Sequence, residues 1–290
     1  MTLWQEYRQP TSISEAIEDL TKAPQPAVPI AGGTDLLLDI RQGRQSPPQT
    51  MIDLTSVLEM DLIETRGEEI FIGAVVPINR LTANPLIQEN AQALIEACSL
   101  IAGPQVRNTA TLGGNVAHAL PAADGTIALV VLDAQAELAD QNGIRRVPFI
   151  NLFLGPGKSA LDKSSELIVG FYFPRKSSSQ GSAFKRIMRP QGVALPILNC
   201  AVWVQRDGNR ISNVRISVGP GGPTPFRALL AEEFLRGKTF SKDVLSLAVE
   251  MLINQGKFRT SRHRATEAYR EFIVSDLFTD TIKEAWSRTG

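Results

Sequence analysis

A serine-rich segment near residue 180 divides this sequence into two regions with different patterns of apolar residues. It reads Lys-Ser-Ser-Ser-Gln-Gly-Ser over residues 176–182, a composition typical of a linker. Before it, segments with strand-like and helix-like spacing alternate, whereas after it two strands come first and helices follow. A chain of 290 residues is long enough for about two domains. We therefore predict one domain at 1–178 and a small α+β domain at 179–290.

The first region is predicted to alternate between strands and helices. Ser12 followed by Glu15 has the pattern of a capping box at the start of an amphipathic helix. The apolar run from Ala128 to Leu132 leads into a predicted strand, and Pro174 ends another. The predicted helices span residues 12–22, 36–40 and 85–101, and the predicted strands span 27–30, 50–54, 70–74, 136–138 and 167–173.

The second region is predicted to begin with a hairpin. The tripeptide Asp207-Gly208-Asn209 is a turn signal between two apolar segments with strand-like composition. Segments with helical spacing follow a wide turn at Pro220-Gly221-Gly222-Pro223. The predicted strands span residues 198–205 and 211–218, and the predicted helices span 228–236, 241–254 and 265–286.

Composition argues against several classes of protein. Lysine plus arginine and aspartate plus glutamate each number 30, so the formal net charge is zero, and nothing indicates binding to nucleic acid. The two cysteines, Cys98 and Cys200, are too few and too far apart to hold an iron–sulfur cluster. There is no secretory leader pattern and no apolar run long enough to span a membrane. We therefore expect a cytoplasmic protein with reduced thiols.

Two glycine pairs carry the strongest chemical signal. They occur in Gly32-Gly33-Thr34-Asp35 and in Thr111-Leu112-Gly113-Gly114-Asn115. A single pair is most often just a tight turn. Two such turns, which lack Cβ atoms and precede helical segments, predict that backbone N–H groups approach an anion such as a pyrophosphate from both sides. Neither pair has the spacing of the Gly-x-Gly-x-x-Gly dinucleotide fingerprint, and the sequence has no P-loop.

The sequence resembles the FAD-binding subunits of molybdenum hydroxylases, the family of xanthine dehydrogenase and aerobic carbon monoxide dehydrogenase. The run Arg-Asn-x-Ala-Thr-Leu-Gly-Gly-Asn is the most specific part of the resemblance, and the other motifs follow in family order along nearly the whole chain. The matching segments cover residues 31–37, 72–74, 103–115, 118–124, 132–134, 153–158, 184–185 and 261–270.

The resemblance implies an α+β fold with two domains. The first is an FAD-binding domain of the vanillyl-alcohol oxidase (PCMH) type, with two α/β lobes at about 1–55 and 56–178. The second, at 179–290, contains a three-stranded antiparallel sheet and a helical bundle.

The resemblance also implies which residues contact FAD. The segments from Ile30 to Leu36 and from Thr111 to Asn115 are expected to hold the pyrophosphate, with Ile101 and Ala102 near the ring system. The implied cofactor-binding residues are Ile30, Ala31, Gly32, Gly33, Thr34, Asp35, Leu36, Ile101, Ala102, Thr111, Gly113, Gly114, Asn115, Asp124, Ile168 and Lys185.

Chemical roles can be assigned to some of these side chains. The Asp124 carboxylate suits a ribityl or ribose hydroxyl as an acceptor, and a cation at Lys185 would stabilise negative charge on the reduced ring. Judged on the residues alone, the structural interpretations are favoured: Asp124 as a loop or cap residue, Ile168 as a core residue and Lys185 as a solvated charge. We interpret His118 as structural, because flavin electron transfer needs no protein nucleophile, and we predict no catalytic residue and no metal ligand.

The function implied by the resemblance is electron transfer within a larger enzyme. Electrons from a molybdopterin-containing subunit would pass through an iron–sulfur subunit to FAD on this chain, and then to a terminal acceptor such as NAD⁺ or a quinone. Many relatives have Gly-Asp and an aromatic residue where this sequence reads Gly192-Val193-Ala194-Leu195, which leaves the oxidant open. The alternatives are a stand-alone FAD-dependent oxidase and a non-enzymatic scaffold that has lost FAD.

Overall fold

The first lobe is built on a small parallel sheet. In the computed structural model, which describes residues 3–189, 195–262 and 264–290, this sheet has the strand order β1-β3-β2. Ser12 caps the first helix by accepting a hydrogen bond from the Glu15 amide, as predicted. The elements are β1 (Glu6–Arg8), α1 (Ile13–Lys22), β2 (Ala27–Ile30), α2 (Leu36–Arg41) and β3 (Thr50–Asp53).

The second lobe combines a five-stranded antiparallel sheet, in the order β4-β5-β10-β6-β7, with six short α-helices and with single 3-10 turns at Leu58–Met60 and Phe149–Leu152. Its strands are β4 (Ile63–Arg66), β5 (Glu69–Gly73), β6 (Gln135–Asp140), β7 (Gly143–Pro148), the short pair β8 (Phe153–Gly155) and β9 (Lys158–Ser159), and β10 (Leu167–Pro174). Its helices are α3 (Ile78–Ala83), α4 (Pro85–Asn90), α5 (Gln92–Ser99), α6 (Pro104–Arg107), α7 (Leu112–Ala117) and α8 (Asp124–Val131).

Two predictions in this lobe need correction. The single helix predicted at 85–101 is two helices, because Ala91 has a φ of −142° and interrupts the helical backbone. The apolar run from Ala128 to Leu132 forms the second half of α8 and its C-cap rather than the approach to a strand. Every residue of α8 is buried, so its sequence shows no amphipathic period that would identify a helix.

The C-terminal region is an antiparallel sheet covered by helices, in the strand order β11-β12-β13-β14. Gly208, with a φ of +56°, makes the turn of the predicted hairpin. A two-residue strand extends the three long strands that were expected. The elements are β11 (Gln180–Met188), β12 (Pro196–Asp207), β13 (Arg210–Gly219), β14 (Phe226–Arg227), α9 (Leu229–Leu235), α10 (Lys242–Gln255) and α11 (Glu267–Ser287).

The β11-β12 sheet is shared between two apolar cores. Phe184, Ala201 and Trp203 join the core of the N-terminal lobes, whereas Ala183 and Cys200 join the core formed with α10 and α11. Because side chains alternate across a strand, even-numbered residues of β11 face the lobes and odd-numbered ones face α11. The sheet therefore forms one wall against the N-terminal lobes. No helix in the described parts of the chain has the length and apolarity needed to cross a bilayer.

Candidate functional site

A cavity of about 1330 Å³ is lined by residues from both N-terminal lobes and the C-terminal region. This exceeds the roughly 300–1,000 Å³ of a typical small-molecule pocket. It contains the residues predicted to bind the cofactor, with the exception of Lys185. Those residues are Ile30, Ala31, Gly32, Gly33, Thr34, Asp35, Leu36, Ile101, Ala102, Thr111, Gly113, Gly114, Asn115, Asp124 and Ile168.

The first glycine pair lies in the loop between β2 and α2. Gly33 has a φ of +65°, a conformation that favours glycine. Within the described residues, the backbone N–H groups of residues 32–35 donate no hydrogen bond to the protein. Consecutive free N–H groups around a left-handed residue form a concave site for an anion. This loop can therefore receive a phosphate oxygen on its backbone.

The second glycine pair lies in the first turn of α7. Thr111 caps this helix by accepting a hydrogen bond from the Gly114 amide at 3.1 Å. A Cβ on Gly113 would lie 2.5 Å from the carbonyl oxygen of Ala74, so packing of α7 against the end of β5 requires this glycine. A Cβ on Gly114 would have only Thr111 Oγ1, at 3.2 Å, within 4 Å. The missing side chain of Gly114 thus leaves its backbone atoms accessible from the cavity.

The two glycine loops touch each other. A Cβ on Gly32 would lie 2.0 Å from the carbonyl oxygen of Thr109 and 2.9 Å from Cα of Ala110. The absence of a side chain at Gly32 therefore lets the loop of the first lobe lie directly on the segment that leads into α7. Residues of both loops line the same cavity.

A second link between the loops is formed by Asp35 and His118. His118 follows α7, and its Nδ1 lies 3.6 Å from Asp35 Oδ2. The carboxylate raises the pKa of His118, and the imidazole lowers the pKa of Asp35. Both side chains line the cavity. This pair links the two loops and adds polar groups to the cavity wall.

Asp124 is the centre of a buried polar cluster. Asn199 Nδ2 donates to Asp124 Oδ1 at 2.7 Å, and Arg186 Nη1 donates to Asp124 Oδ2. Burial raises the pKa of Asp124, and the Arg186 guanidinium opposes that rise. Two further buried atoms, Asn115 Oδ1 and Arg186 Nε, have no hydrogen-bond partner in the described residues. The cluster therefore presents an acceptor and a donor, on side chains that line the cavity.

The structure does not support the predicted contact of Lys185 with the cofactor. Lys185 does not line the cavity in the described part of the chain, whereas the next residue, Arg186, does. The reason is that successive side chains of β11 point to opposite faces of the sheet. Phe184 and Arg186 face the N-terminal lobes, while Ala183 and Ile187 pack toward α11. Both faces of β11 carry buried apolar residues, Phe184 on one and Ala183 on the other, so the sequence alone does not show which face borders the cavity.

The turn from Ile101 to Ala102 is held by Arg107, which is not among the predicted cofactor-binding residues. Arg107 Nη1 donates to the carbonyl oxygens of Ile101 at 2.8 Å and of Ala102 at 2.7 Å. Ala102 has a φ of +45°, which costs roughly 1–3 kcal/mol for a residue with a Cβ. Arg107 was part of the quoted motif, but its role depends on the path of the backbone. Ile168, which also lines the cavity, lies at a β-bulge of β10.

Comparison with known proteins identifies the family. The model of the FAD binding domain in molybdopterin dehydrogenase matches residues 4–176, and that of the CO dehydrogenase flavoprotein C-terminal domain matches 182–285. The carbon monoxide dehydrogenase medium chain of Hydrogenophaga pseudoflava is 30% identical over 283 residues, 98% of this chain and 97% of that one. The xanthine dehydrogenase FAD-binding subunit of Escherichia coli O157:H7 is 30% identical over 288 residues, 98% of this chain and 97% of that one. A solved structure of carbon monoxide dehydrogenase from Hydrogenophaga pseudoflava superposes with a TM-score of 0.92 at 30% identity and covers 98% of each chain.

The residues of the cavity fit FAD. The free amides of residues 32–35 and the bare backbone at Gly114 suit a pyrophosphate, which needs N–H donors and close approach. The unpaired Asn115 Oδ1 and Arg186 Nε suit the hydroxyl and carbonyl groups of the cofactor. Ile101, Ala102 and Ile168 offer apolar contact for a ring system.

The predicted fold class, cofactor and resemblance are thereby confirmed. The chain is an oxidoreductase subunit, its cofactor is FAD, and its fold is the α+β arrangement of a two-lobed FAD-binding domain followed by the flavoprotein C-terminal domain. Matches to both family models extend over nearly the whole chain. This protein belongs to the family of FAD-binding subunits of the molybdenum hydroxylases.

Proposed function

We propose that this chain transfers electrons from an iron–sulfur partner subunit, through FAD, to a terminal acceptor such as NAD⁺ or a quinone. A third subunit with molybdopterin would oxidise the substrate. The observation that carries the proposal is the single cavity in which both glycine loops meet the Asp124 cluster. The relatives that match along their full length are named as a medium chain and as an FAD-binding subunit, which are parts of larger enzymes.

The cysteines of this chain support the need for a partner that supplies electrons. Cys98 and Cys200 are free and buried, and burial raises the pKa of both thiols, that of Cys200 to about 12. Two protonated thiols in separate cores cannot hold an iron–sulfur cluster, which needs thiolate ligands. Free thiols also support the cytoplasmic location that we propose.

We assign the parts of the cavity as follows. Bound FAD supplies a carrier that exchanges one or two electrons, which suits a one-electron cluster on one side and a two-electron acceptor on the other. The backbone of residues 32–35 and of Gly114 holds the pyrophosphate. Asn115 and the Asp124–Arg186 pair orient polar groups of the cofactor. Ile101, Ala102 and Ile168 exclude water from the ring. The domain boundary between residues 178 and 179 remains a prediction.

The test is to compare the purified chain with the complex purified with its native partners. The chain alone should be yellow and carry stoichiometric FAD, and it should not hydroxylate purines, aldehydes or carbon monoxide. Hydroxylation should be observed only with the complex. A colourless chain that cannot be loaded with FAD would favour the scaffold alternative. Turnover of a substrate by the single chain, free of molybdenum, would favour the oxidase.

A further inference from the structure

Besides Arg186, three arginines from the C-terminal region line the same cavity as the glycine loops. Arg259 and Arg264 lie in the segment between α10 and α11, and Arg270 lies in the first turns of α11. Ser261 of the same segment also lines the cavity. We call Arg259, Arg264 and Arg270 the arginine cluster. None of its members was selected from the sequence as a site residue.

The positive charge of the arginine cluster is not balanced by protein carboxylates. Within the described residues, none of the three guanidinium groups forms an ion pair, and the pKa values of Arg264 and Arg270 are lowered by burial and by repulsion from neighbouring arginines. Residues 190–194, outside the described ranges, read Pro-Gln-Gly-Val-Ala and so contain no carboxylate either. Arg259 is exposed, but Arg264 is half-buried and Arg270 is buried, and grouping like charges at such positions is unfavourable unless an anion compensates them.

The arginine cluster lies close to the Asp124 cluster. Arg270 is only 1% exposed, and its Nε donates to the carbonyl oxygen of Ile197 at 3.1 Å. Asn199, which donates a hydrogen bond to Asp124, lies two residues after Ile197 in β12. Two residues span about 7 Å along a strand. The side chain of Arg270 also binds the carbonyl oxygen of Arg259 and thereby holds the segment in place. The cluster is thus fixed to the wall of the cavity that the C-terminal region provides.

We propose that the arginine cluster binds a phosphate group of a second ligand, a nucleotide that accepts electrons from this subunit. Guanidinium groups bind phosphate oxygens through paired, charge-assisted hydrogen bonds, and Ser261 adds a hydroxyl donor. The pyrophosphate of FAD is assigned to the glycine loops, so these charges are left for another anion. A quinone has no phosphate and would not use them. The inference rests on the proposed function, since it names the class of the acceptor.

The experiment uses the full chain loaded with FAD and titrated by calorimetry with ADP-ribose, a nucleotide that carries a pyrophosphate and no redox group. We expect saturable binding that weakens with rising salt. Arg259→Gln and Arg264→Gln should each weaken the binding of ADP-ribose by about tenfold or more, equivalent to about 1.4 kcal/mol. Arg264→Lys should bind ADP-ribose more tightly than Arg264→Gln but less tightly than the wild type, because an ammonium group lacks the paired donors of a guanidinium group. Arg270 is not varied, because its side chain also supports the backbone of the segment.

Lys257→Gln and Arg262→Gln are matched controls. Both side chains are exposed and belong to the same segment, but neither lines the cavity. They remove the same charge and should leave ADP-ribose binding within about twofold of the wild type. An equal loss of ADP-ribose affinity in the control variants would show that a basic surface attracts the nucleotide non-specifically, and it would overturn the proposal.

FAD content, measured by absorbance on the same samples, separates the two hypotheses. A wild-type chain that contains FAD and does not bind ADP-ribose would overturn the second-ligand site and leave the proposed function intact. Loss of FAD in the Arg259 and Arg264 variants would also overturn it, because the cluster would then serve the phosphates of the cofactor. A chain that takes up no FAD would refute the proposed function itself.

Discussion

At the scale of single residues, the four glycines of the two loops are required for different structural reasons. A side chain on Gly32 or Gly113 would collide with the backbone of a neighbouring segment, and Gly33 has a positive φ. Replacing any of these three would disturb the protein before it disturbed a ligand. Gly114 has none of these restrictions, so its missing side chain is best explained by the approach of a ligand.

We therefore predict that Gly114→Val yields folded protein without FAD. The valine side chain would project where the pyrophosphate must approach the backbone, while the helix is not weakened, because valine has a higher intrinsic helix propensity than glycine. Circular dichroism should be unchanged, and the absorbance of the flavin should be lost. Gly155→Val is the control, since a Cβ there would meet only Lys158 Cδ at 4.0 Å. Normal FAD stoichiometry in Gly114→Val would contradict the assignment.

A second prediction concerns the buried pair of Asp124 and Arg186. Removing the cation in Arg186→Met leaves a buried carboxylate unpaired, which costs about 3–5 kcal/mol when the carboxylate is charged. Burial already raises the pKa of Asp124, and the variant should raise it further. A carboxyl whose folded pKa is raised favours the folded state at low pH, and that contribution is lost as the pH rises through the folded pKa.

Urea unfolding should therefore show a larger loss of stability for Arg186→Met at about pH 7.5 than at about pH 4.5. The double variant Asp124→Asn, Arg186→Met should recover most of the loss, because it leaves no buried charge. Equal losses at both pH values, or no recovery in the double variant, would mean that the pair is not electrostatically coupled.

At the scale of elements, the alternation of side chains between the two faces of β11 predicts how a substitution of Lys185 changes the midpoint potential of FAD. A cation in contact with the flavin in a partly desolvated site would contribute about 1–3 kcal/mol, or roughly 20–60 mV for a two-electron couple. Lys185 lies on the strand face opposite to Arg186 and does not line the cavity. We expect Lys185→Met to change the midpoint potential of FAD by less than about 20 mV. A larger drop in potentiometric titration would restore Lys185 as a flavin contact.

The turn between α5 and α6 gives a second prediction at this scale. Arg107 holds Ala102 at a positive φ, so Arg107→Ala should let the turn relax and should weaken FAD binding. Ala102→Gly removes the cost of that φ and should restore part of the affinity in the Arg107→Ala background. Fluorescence titration of FAD into the four proteins measures the coupling. Additive effects of the two substitutions would show that Arg107 does not act through this turn.

Elements were predictable from sequence where local patterns were strong. The capping box at Ser12 and the turn at Gly208 identified a helix and a hairpin correctly, because both depend on residues close together in the chain. The fully buried α8 was missed because a helix with no exposed face has no period to detect. The break at Ala91 was missed because it depends on the backbone of that residue and not on a proline or glycine.

At the scale of the whole molecule, the site residues that were missed depend on tertiary structure. The glycine loops were visible because glycine pairs are rare and local, and the structure brings them together as predicted. Arg186 reaches Asp124 across 62 residues of sequence, and the arginine cluster comes from the far end of the chain. Contacts between residues so far apart in the sequence leave no local sequence pattern, so these residues could be identified only from the structure.

The shared sheet predicts how the molecule unfolds. Phe184, Ala201 and Trp203 of the C-terminal sheet are buried in the core of the N-terminal lobes. We therefore expect a single thermal transition and a rise in its midpoint on adding FAD, since a ligand at 100 times its Kd stabilises by about 2.7 kcal/mol. Calorimetry of the apo and FAD-loaded chain measures this. Two separate transitions, with only the first sensitive to FAD, would contradict it.

The contact between Gly32 and the backbone of Thr109 has a consequence for insertions and deletions. That contact is made by main-chain atoms, so it is indifferent to which side chain occupies position 109. It depends instead on the number of residues between Gly103 and Thr111, which sets where the Thr109 carbonyl lies. Substitutions at the exposed Thr109 should be well tolerated, whereas removal of a single residue from this stretch would move the Thr109 carbonyl away from the first loop. Here chain length, and not residue identity, is the quantity that must be preserved.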